Sequence, residues 1–329
     1  MNTGFESSLS ARFDEFATLM RSTGGRHVPL LANLRRFDRF LSRSHPDATT
    51  ITKEILQSWF ASFDHLRPAS QSRYRTATFQ LCKFLHGRDV STATREDIPP
   101  LRQRRDFRPY IFSSEEIAHL LRAANELPIN RRDPLRPQSM YLVVVLLYTA
   151  GLRIGEVVRL QVRDFDAEAS TLVVRETKFA KTRLIPLSLS AKKVVDEYLT
   201  RRRELGLSCE SADSLRWCPG SHPSSLDNVQ VGLVRLMRSC GLKPGCGRRG
   251  PRVHDIRHSF AVNRVLEWYR RGEDVQTLLP RLVTYMGHRG LESTQHYLSL
   301  TPNVLIEASA RFETFAAAAS GMHAVEVQP

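Results

Sequence analysis

The second half of the chain carries, in separate short motifs, the side-chain types needed to cut and rejoin a phosphodiester. Without a metal, such chemistry needs guanidinium groups for the non-bridging oxygens, a nucleophile, a base, and an acid for the leaving 5′ oxygen. Arginine suits the phosphate because its planar fork bonds two oxygens and keeps its charge. Arginine does not release its proton, so lysine or histidine is the better acid. Two of the seven lysines, Lys178 and Lys181, lie in one polar turn.

Histidine, arginine and tyrosine follow further along the chain. In "HDIRH", His254 and Arg257 are about one helical turn apart, so both can project toward one point at the start of a helix. The positive end of a helix would favour an anion there. In "MGHRGLESTQHYL", Tyr297 stands nine residues after His288. Taken alone, each motif is more often structural, and Arg153 in "AGLRIGEVV" is equally well explained by a helical arginine–glutamate pair.

The order of these motifs resembles that of the tyrosine recombinases, the phage integrase family. Members of that family have an arginine after a helix break, a lysine in a β-hairpin, an HxxR motif, a glycine–histidine pair, and a tyrosine at this same distance beyond that histidine. The segments "TAGLRIGEV", "TKFAKTRLIPL", "HDIRHSFA" and "MGHRGLESTQHYL" match this order one by one. The 34 residues from His254 to His288 exceed the usual family interval and are similar to the spacing in transposon and plasmid recombinases.

The resemblance implies which residues hold the phosphate and which one protonates the leaving group. By this resemblance, Arg153 and Arg257 hold the scissile phosphate, and His288 supports it. Lys178 would protonate the leaving 5′ oxygen. Lys181 is the alternative, because the turn "KFAK" lacks the glycine that often follows the family's lysine.

The resemblance also assigns the base and the nucleophile. His254 would act as a general base or hydrogen-bond partner, and Tyr297 would attack to form a 3′-phosphotyrosyl link. Because an unperturbed tyrosine has a pKa of about 10, the surrounding cations are expected to favour its phenolate. The link conserves bond energy, so a 5′ hydroxyl of another strand can reverse it without ATP or metal. No cofactor is expected, and the five cysteines have no CxxC pair or zinc-ligand spacing.

Helices account for most of the structure that the sequence predicts. Apolar residues recur at three- and four-residue spacing across 8–88, which predicts a small four-helix domain. Strands at 171–175 and 183–187 predict a β-hairpin. The apolar stretch at 140–152 is too short to span a bilayer and predicts a buried helix. The helices predicted beyond the first domain are 114–125, 139–150, 153–161, 190–203, 225–240, 257–271 and 302–317. The expected fold is mainly α with a small β-sheet or hairpin.

The stretch "PPLRQRRDFRP" marks the predicted domain boundary, because its prolines prevent regular structure. We expect a basic linker over 99–112 and a C-terminal tail over 313–329. The resemblance implies a helical core-binding (SAM-like) domain over 1–98, a mixed α/β catalytic domain over 113–312, and a two-domain C-shaped clamp around duplex DNA. The amphipathic segment after Tyr297 either caps its own domain or, as the resemblance implies, docks on a neighbouring protomer.

The formal net charge of +14 favours nucleic acid as the partner. Residues 1–110 contain 18 basic and 11 acidic side chains and the remainder contains 30 and 23, so each part carries +7. Only seven of the 48 basic residues are lysines, so part of the excess fits the arginine usage of a GC-rich genome. The residues that we predict to contact DNA are Arg73, Arg75, Lys83, Arg102, Arg104, Arg105 and Lys181.

Together these patterns predict a site-specific DNA recombinase of a mobile element, in the bacterial cytoplasm and without a membrane segment. The expected partner is double-stranded DNA with an inverted-repeat core site, bound by a homotetramer with or without partner recombinases. Two alternatives remain: an accessory DNA-binding subunit without catalysis, and a type IB topoisomerase-like enzyme that relaxes supercoils without site preference.

Overall fold

The computed structural model describes residues 4–23, 27–88, 92–94, 97, 109–129, 131–175, 182–219, 226–247 and 249–287. The chain divides into two compact units, Met1–Asp106 and Phe107–Pro329. The division falls inside the stretch 99–112, which we predicted as a linker. We call these parts unit 1 and unit 2.

Unit 1 is helical. Its described residues form four helices: α1 (Ser10–Ser22), α2 (Val28–Ser44), α3 (Lys53–Ala61) and α4 (Pro68–His86). The apolar positions of α2 recur every three or four residues and are buried, among them Leu34, Phe37 and Leu41. These side chains join those of the other helices in one core, so the helices predicted from periodicity across 8–88 are confirmed.

Unit 2 combines helices with a small sheet. Its helices are α5 (Ser114–Asn125), α6 (Arg136–Thr149), α7 (Ile154–Arg159), α8 (Leu189–Glu204), α9 (Leu226–Ser239), α10 (Val253–Arg270) and α11 (Val275–Met286), with a 3-10 turn at Val162–Asp164. Its strands are β1 (Phe165–Asp166), β2 (Thr171–Val174) and β3 (Arg183–Pro186), which form an antiparallel sheet in the order β1-β2-β3. The mainly α fold with a small sheet is therefore confirmed.

The central element of unit 2 is α6. It packs against α5, α8 and α10, so apolar side chains are buried around most of its circumference, as expected for an enclosed helix. The predicted buried helix at 140–152 is thus confirmed. Among the described residues, no helix is long and apolar enough to cross a membrane.

The hairpin strands lie where the sequence predicted them. In the register, Leu172 faces Ile185 and Val174 faces Arg183, which places Arg183 at the first position of β3. Residues 176–181, with Lys178 and Lys181, lie outside the described part, as does the predicted helix 302–317. The sequence analysis did not predict β1, whose two residues are too few to show an alternation of side chains.

Two helices differ most from the sequence prediction. Helix α10 begins at Val253 instead of 257, because the Asp255 carboxylate accepts the backbone N–H of Arg252 at 2.8 Å and caps an earlier turn. Helix α11 was not predicted as a separate element. It contains Pro280, but Asp274 caps its start by accepting the backbone N–H groups of the residues two and three positions later, and its apolar face is buried.

Candidate active site

The first predicted catalytic arginine lies at a sharp break between α6 and α7. Gly151 has a φ of +58°, and a Cβ added there would lie 2.4 Å from the Phe260 ring, so this position requires glycine. Arg153 follows with extended backbone and becomes the N-cap of α7. Its backbone N–H donates to Glu156 Oε2 at 2.8 Å. The break therefore fixes the backbone of Arg153 just before the helix.

The second predicted arginine, Arg257, lies on the first turns of α10 and is only 1% exposed. Its two terminal nitrogens donate to the backbone carbonyls of Gly151 and Met286. It thereby joins the end of α6 to the end of α11. These contacts bring the second arginine motif to the break that holds Arg153.

A buried carboxylate lies between the two arginines. Glu156, whose side chain is 2% exposed, accepts from Arg153 Nη1 at 2.8 Å and lies 3.8 Å from Arg257 Nη1. A third guanidinium, that of Arg183, donates to both carboxylate oxygens at 3.0 and 2.8 Å. We call these four side chains the Glu156 cluster. Three formal positive charges surround one negative charge, which leaves the cluster at +2.

The charge state of Glu156 follows from these neighbours. Burial by itself would raise the pKa of the carboxyl, but the hydrogen bonds and charge of Arg183, the backbone N–H of Arg153 and the charge of Arg257 outweigh it and lower the pKa from 4.5 to about 2. Glu156 is therefore ionised throughout the neutral range.

The cluster also contacts the C-terminal end of α11. Arg153 Nη2 donates to the carbonyl of Gly287 at 2.8 Å. Gly287 ends α11 in the left-handed conformation, with a φ of +64°, and an added Cβ would lie 3.0 Å from Arg183 Nη1. The glycine of the glycine–histidine motif is thus required both by its backbone and by the guanidinium beside it. His288 itself lies outside the described residues.

His254 lies in the first turn of α10, and its side chain is exposed. Its ring meets that of His258 edge to face, with the centroids 4.6 Å apart. Desolvation by nearby protein atoms and the charges of Arg257, Arg252 and Arg153 lower the pKa of His254 from 6.5 to about 4. The imidazole is therefore neutral near pH 7, with a ring nitrogen able to accept a proton.

The structure thus brings together three of the six predicted catalytic residues: Arg153, His254 and Arg257. The others, Lys178, His288 and Tyr297, lie outside the described part, as does the alternative Lys181. Sequence reasoning did not identify Glu156 and Arg183 as members of the site. The RxxE spacing was visible but explained as an ordinary helix pair, and Arg183 stood in a strand pattern.

The predicted DNA-contacting residues of α4 differ in their surroundings. Arg73 and Lys83 are exposed, whereas Arg75 is half-buried with its guanidinium 4.3 Å from the centre of the Phe60 ring. Arg73 and Arg75, two residues apart, point to nearly opposite sides of the helix. Arg102, Arg104 and Arg105 lie outside the described residues. Among the residues that the structure covers, no group of three or more histidine, cysteine, aspartate or glutamate side chains could hold a metal ion.

Comparison with known proteins shows the family to which the chain belongs. The sequence profile of the phage integrase family matches residues 111–303, which is more than half of the chain and includes all six predicted catalytic residues.

This chain belongs to the phage integrase family, the tyrosine recombinases.

Similarity to individual members of the family extends over most of the chain. The Sinorhizobium fredii protein y4rB, named as an integrase/recombinase, is 33% identical over 313 residues, which cover 93% of this chain and 98% of that protein. The solved structure of the XerH site-specific recombinase bound to its palindromic difH substrate has a TM-score of 0.65 and 19% identity, and covers 87% of this chain and 79% of its own. A λ integrase tetramer bound to a Holliday junction has a TM-score of 0.61 and 17% identity, with 90% and 78% covered.

Proposed function

We propose that this tyrosine recombinase is a site-specific recombinase of a mobile element, which cleaves and rejoins DNA strands through a 3′-phosphotyrosyl intermediate at Tyr297. The observation that carries the proposal is the Glu156 cluster, in which arginines from two separate motifs converge with a net charge of +2. A phosphodiester carries one negative charge, and the transition state of its cleavage carries more. Fixed cations at that point stabilise the transition state more than the ground state.

The arginines contribute in different ways. Arg153 has 30% of its side chain exposed, so its guanidinium can reach a phosphate from solvent. Arg257 is buried, and its terminal nitrogens donate to two carbonyls, so it acts through its charge and through its hold on the end of α11. This differs from the sequence expectation that both arginines contact the phosphate alike.

The proposed reaction exchanges one phosphate ester for another. The Tyr297 hydroxyl loses its proton to His254 or to water, and its oxygen attacks phosphorus. The bond from phosphorus to the 5′ oxygen breaks, and that oxygen takes a proton from Lys178. In the second step a 5′ hydroxyl of another strand gives its proton to Lys178 and attacks phosphorus, the bond from phosphorus to Tyr297 breaks, and the Tyr297 oxygen takes back a proton from His254 or water. A neutral His254 can accept the proton, although its lowered pKa makes it a weaker base than an ordinary imidazole. Because bond energy is retained, neither ATP nor metal is required.

We propose that the protein acts in a bacterial cell as a homotetramer, which binds two copies of an inverted-repeat DNA site. The λ integrase tetramer on a Holliday junction, whose fold this chain shares, supports the assembly. The integrase/recombinase name of the Sinorhizobium relative supports integration or recombination of DNA. The +14 net charge supports DNA as the partner.

The covalent step is tested with nicked duplexes from a randomised DNA pool. The protein is incubated with the pool, denatured in detergent, and the attached DNA is sequenced. We expect an inverted-repeat site to be enriched, and Tyr297→Phe to abolish the adduct, because phenylalanine lacks the attacking oxygen. DNA that binds without ever becoming attached would contradict catalysis and favour the accessory subunit.

A further outcome of the same experiment would distinguish the recombinase from the topoisomerase-like enzyme. Random attachment sites together with relaxation of supercoiled plasmid would favour the topoisomerase-like enzyme. Tyr285→Phe is the matched control, since Tyr285 stacks on the Phe260 ring in unit 2 and stands outside the predicted motifs. Its adduct yield is expected to match that of the wild type.

A further inference from the structure

Arg183 is the member of the Glu156 cluster that no sequence motif assigns. It starts β3, and its side chain is 12% exposed. Both of its terminal nitrogens donate to Glu156, one to each oxygen, in the two-point geometry that makes arginine–carboxylate pairs strong. Its fork is therefore used by Glu156 and not presented to solvent.

The pairing with Arg183 supplies the positive charge and the hydrogen bonds that the buried Glu156 carboxylate needs. A buried carboxylate beside Arg153 and Arg257 would cancel one of their two charges and would hold fewer hydrogen bonds than its oxygens can accept. With Arg183 present, one positive charge balances Glu156 and the two catalytic arginines keep theirs. The carboxylate then serves as a fixed point that orients Arg153, which donates to it from both its backbone and its side chain.

Arg183 also lies beside Gly287, the residue whose carbonyl accepts the second side-chain hydrogen bond of Arg153. The nearest atoms to a Cβ built on Gly287 are Arg183 Nη1 at 3.0 Å and Cζ at 3.3 Å, followed by Arg153 Nη1 at 3.6 Å. The two guanidiniums therefore lie against the same residue, whose carbonyl accepts from Arg153. Strand β3, helix α7 and the end of α11 meet at this point.

We infer that Arg183 is a positioning residue for strand cleavage: by holding both oxygens of Glu156, it fixes Arg153 where the scissile phosphate binds. The inference rests on the proposed recombinase function. Arg183 acts through Glu156 and not through contact with DNA.

The hairpin offers a matched control. Arg175 directly follows β2, and its Nε donates to the buried Asp164 at 2.6 Å, so it too pairs with a buried carboxylate. Its side chain is 51% exposed, however, and the carboxylate that it pairs with is Asp164 and not Glu156. Both substitutions keep the positive charge and remove the guanidinium group. Arg183→Lys changes the pairing with Glu156, whereas Arg175→Lys changes the pairing with Asp164.

The experiment measures cleavage of a nicked duplex that carries the enriched site, under single-turnover conditions with the full-length protein saturating. Binding affinity for the same duplex is measured separately. Arg183→Lys is expected to slow adduct formation roughly 10- to 100-fold, because a small displacement of a phosphate-binding group costs that much, while affinity changes less than about twofold. Arg175→Lys is expected to cleave within about twofold of the wild type.

A double-mutant cycle separates positioning from general destabilisation. The variants are Glu156→Gln, Arg183→Met and both together, each tested at a temperature where its unfolding curve shows it folded. If Arg183 acts through Glu156, adding Arg183→Met to Glu156→Gln slows cleavage no further. Should Arg183→Met fail to fold, Arg183→Lys takes its place in the cycle.

The outcomes distinguish this inference from the function on which it rests. A wild-type protein that forms no Tyr297-dependent adduct would overturn both. A wild-type adduct with undiminished cleavage by Arg183→Lys, or losses in the cycle that simply add, would overturn the role of Arg183 alone.

Discussion

Among single residues, Glu156 is the one on which the arrangement of the candidate site most depends. Three guanidiniums depend on one carboxylate, and the carboxylate depends on them to stay ionised in a buried position. Removing one member of such a set leaves the others with uncompensated charge, which costs more than the loss of an exposed pair. Glu156 is therefore expected to stabilise both the fold and the arrangement of the three guanidiniums.

The buried carboxylate predicts a pH-dependent stability. The pKa of Glu156 is lowered to about 2 in the folded protein, so its ionised form stabilises the fold above the unfolded pKa, and this stabilisation is lost as the pH falls toward 2. Glu156→Gln is expected to lower the free energy of unfolding by roughly 3 kcal/mol at pH 7, and the difference from wild type should shrink as the pH falls from 5 to 3. Urea unfolding at several pH values measures it.

An exposed glutamate supplies the control for this prediction. Glu197 on α8 pairs with Lys193 at 3.7 Å, with its side chain 65% exposed. Glu197→Gln should change the free energy of unfolding by less than about 0.5 kcal/mol at any of these pH values. A Glu156→Gln effect that stays constant with pH would contradict the ionised, cation-bound carboxylate.

Among the elements, the break between α6 and α7 positions the site. Gly151 supplies a backbone conformation that L side chains rarely adopt, and the Phe260 ring of α10 fills the space beside it. This close approach brings α10, and with it Arg257, to the loop of Arg153. The position of the two arginines predicted to be catalytic thus depends on packing between helices that are far apart in sequence.

Three substitutions separate the two requirements at this break. Gly206→Ala adds a Cβ at a φ of +65° with no atom within 4 Å, so it measures the backbone cost alone, about 1 kcal/mol. Gly151→Ala has nearly the same φ and also meets the ring, so we expect a further loss of about 1–3 kcal/mol. Combining Gly151→Ala with Phe260→Leu should recover part of that further loss. Thermal and urea unfolding measure all three.

An equal loss from Gly151→Ala and Gly206→Ala would show that the ring contact is not tight. Additive losses in the double variant would lead to the same conclusion, since two residues that clash must couple.

At the scale of the whole molecule, the positive net charge is the property that most affects the expected affinity for DNA. The excess of basic residues is shared by both parts of the chain, with +7 in 1–110 and +7 in the remainder. Phosphate neutralisation by many such residues releases counterions, so DNA affinity should fall steeply as salt is added. If both units contact the same DNA, the affinity should fall more steeply with salt concentration than if only one unit contacts it.

Single arginines should contribute to this slope in proportion to their contact with DNA. Arg73→Ala on α4 is expected to weaken duplex binding at any sequence and to reduce the slope of log affinity against log salt by about 1. Arg201→Ala removes an arginine that already pairs with Glu204 at 3.0 Å, and its slope is expected to match the wild type. Fluorescence anisotropy of a labelled duplex across a salt series gives both slopes, and a flat wild-type response would rule out extensive phosphate contact.

The sequence by itself determined the family, most of the helices and the hairpin strands. Periodic apolar positions report which face of a helix is buried, and the order of Arg153, His254 and Arg257 with the other motifs is a property of the chain alone. The helix boundaries at 114–125 agree because Ser113 and Glu116 form a capping box that can be recognised locally. The sequence analysis did not predict helix α11 because Pro280 disfavours a helix locally. Burial of the apolar face of α11 favours the helix in the folded protein.

Only the tertiary structure decided what Arg183 and Arg257 pair with, and what Arg153 contacts besides Glu156. Glu156 and Arg183 are 27 residues apart, and Arg153 reaches the carbonyl of Gly287 across 134 residues. Such pairings depend on where strands and helices pack, which no local pattern records. The sequence therefore specified which side chains were available for chemistry, and the fold determined that three guanidiniums share one buried carboxylate, because only packing brings Arg183 and Arg257 to the local pair of Arg153 and Glu156.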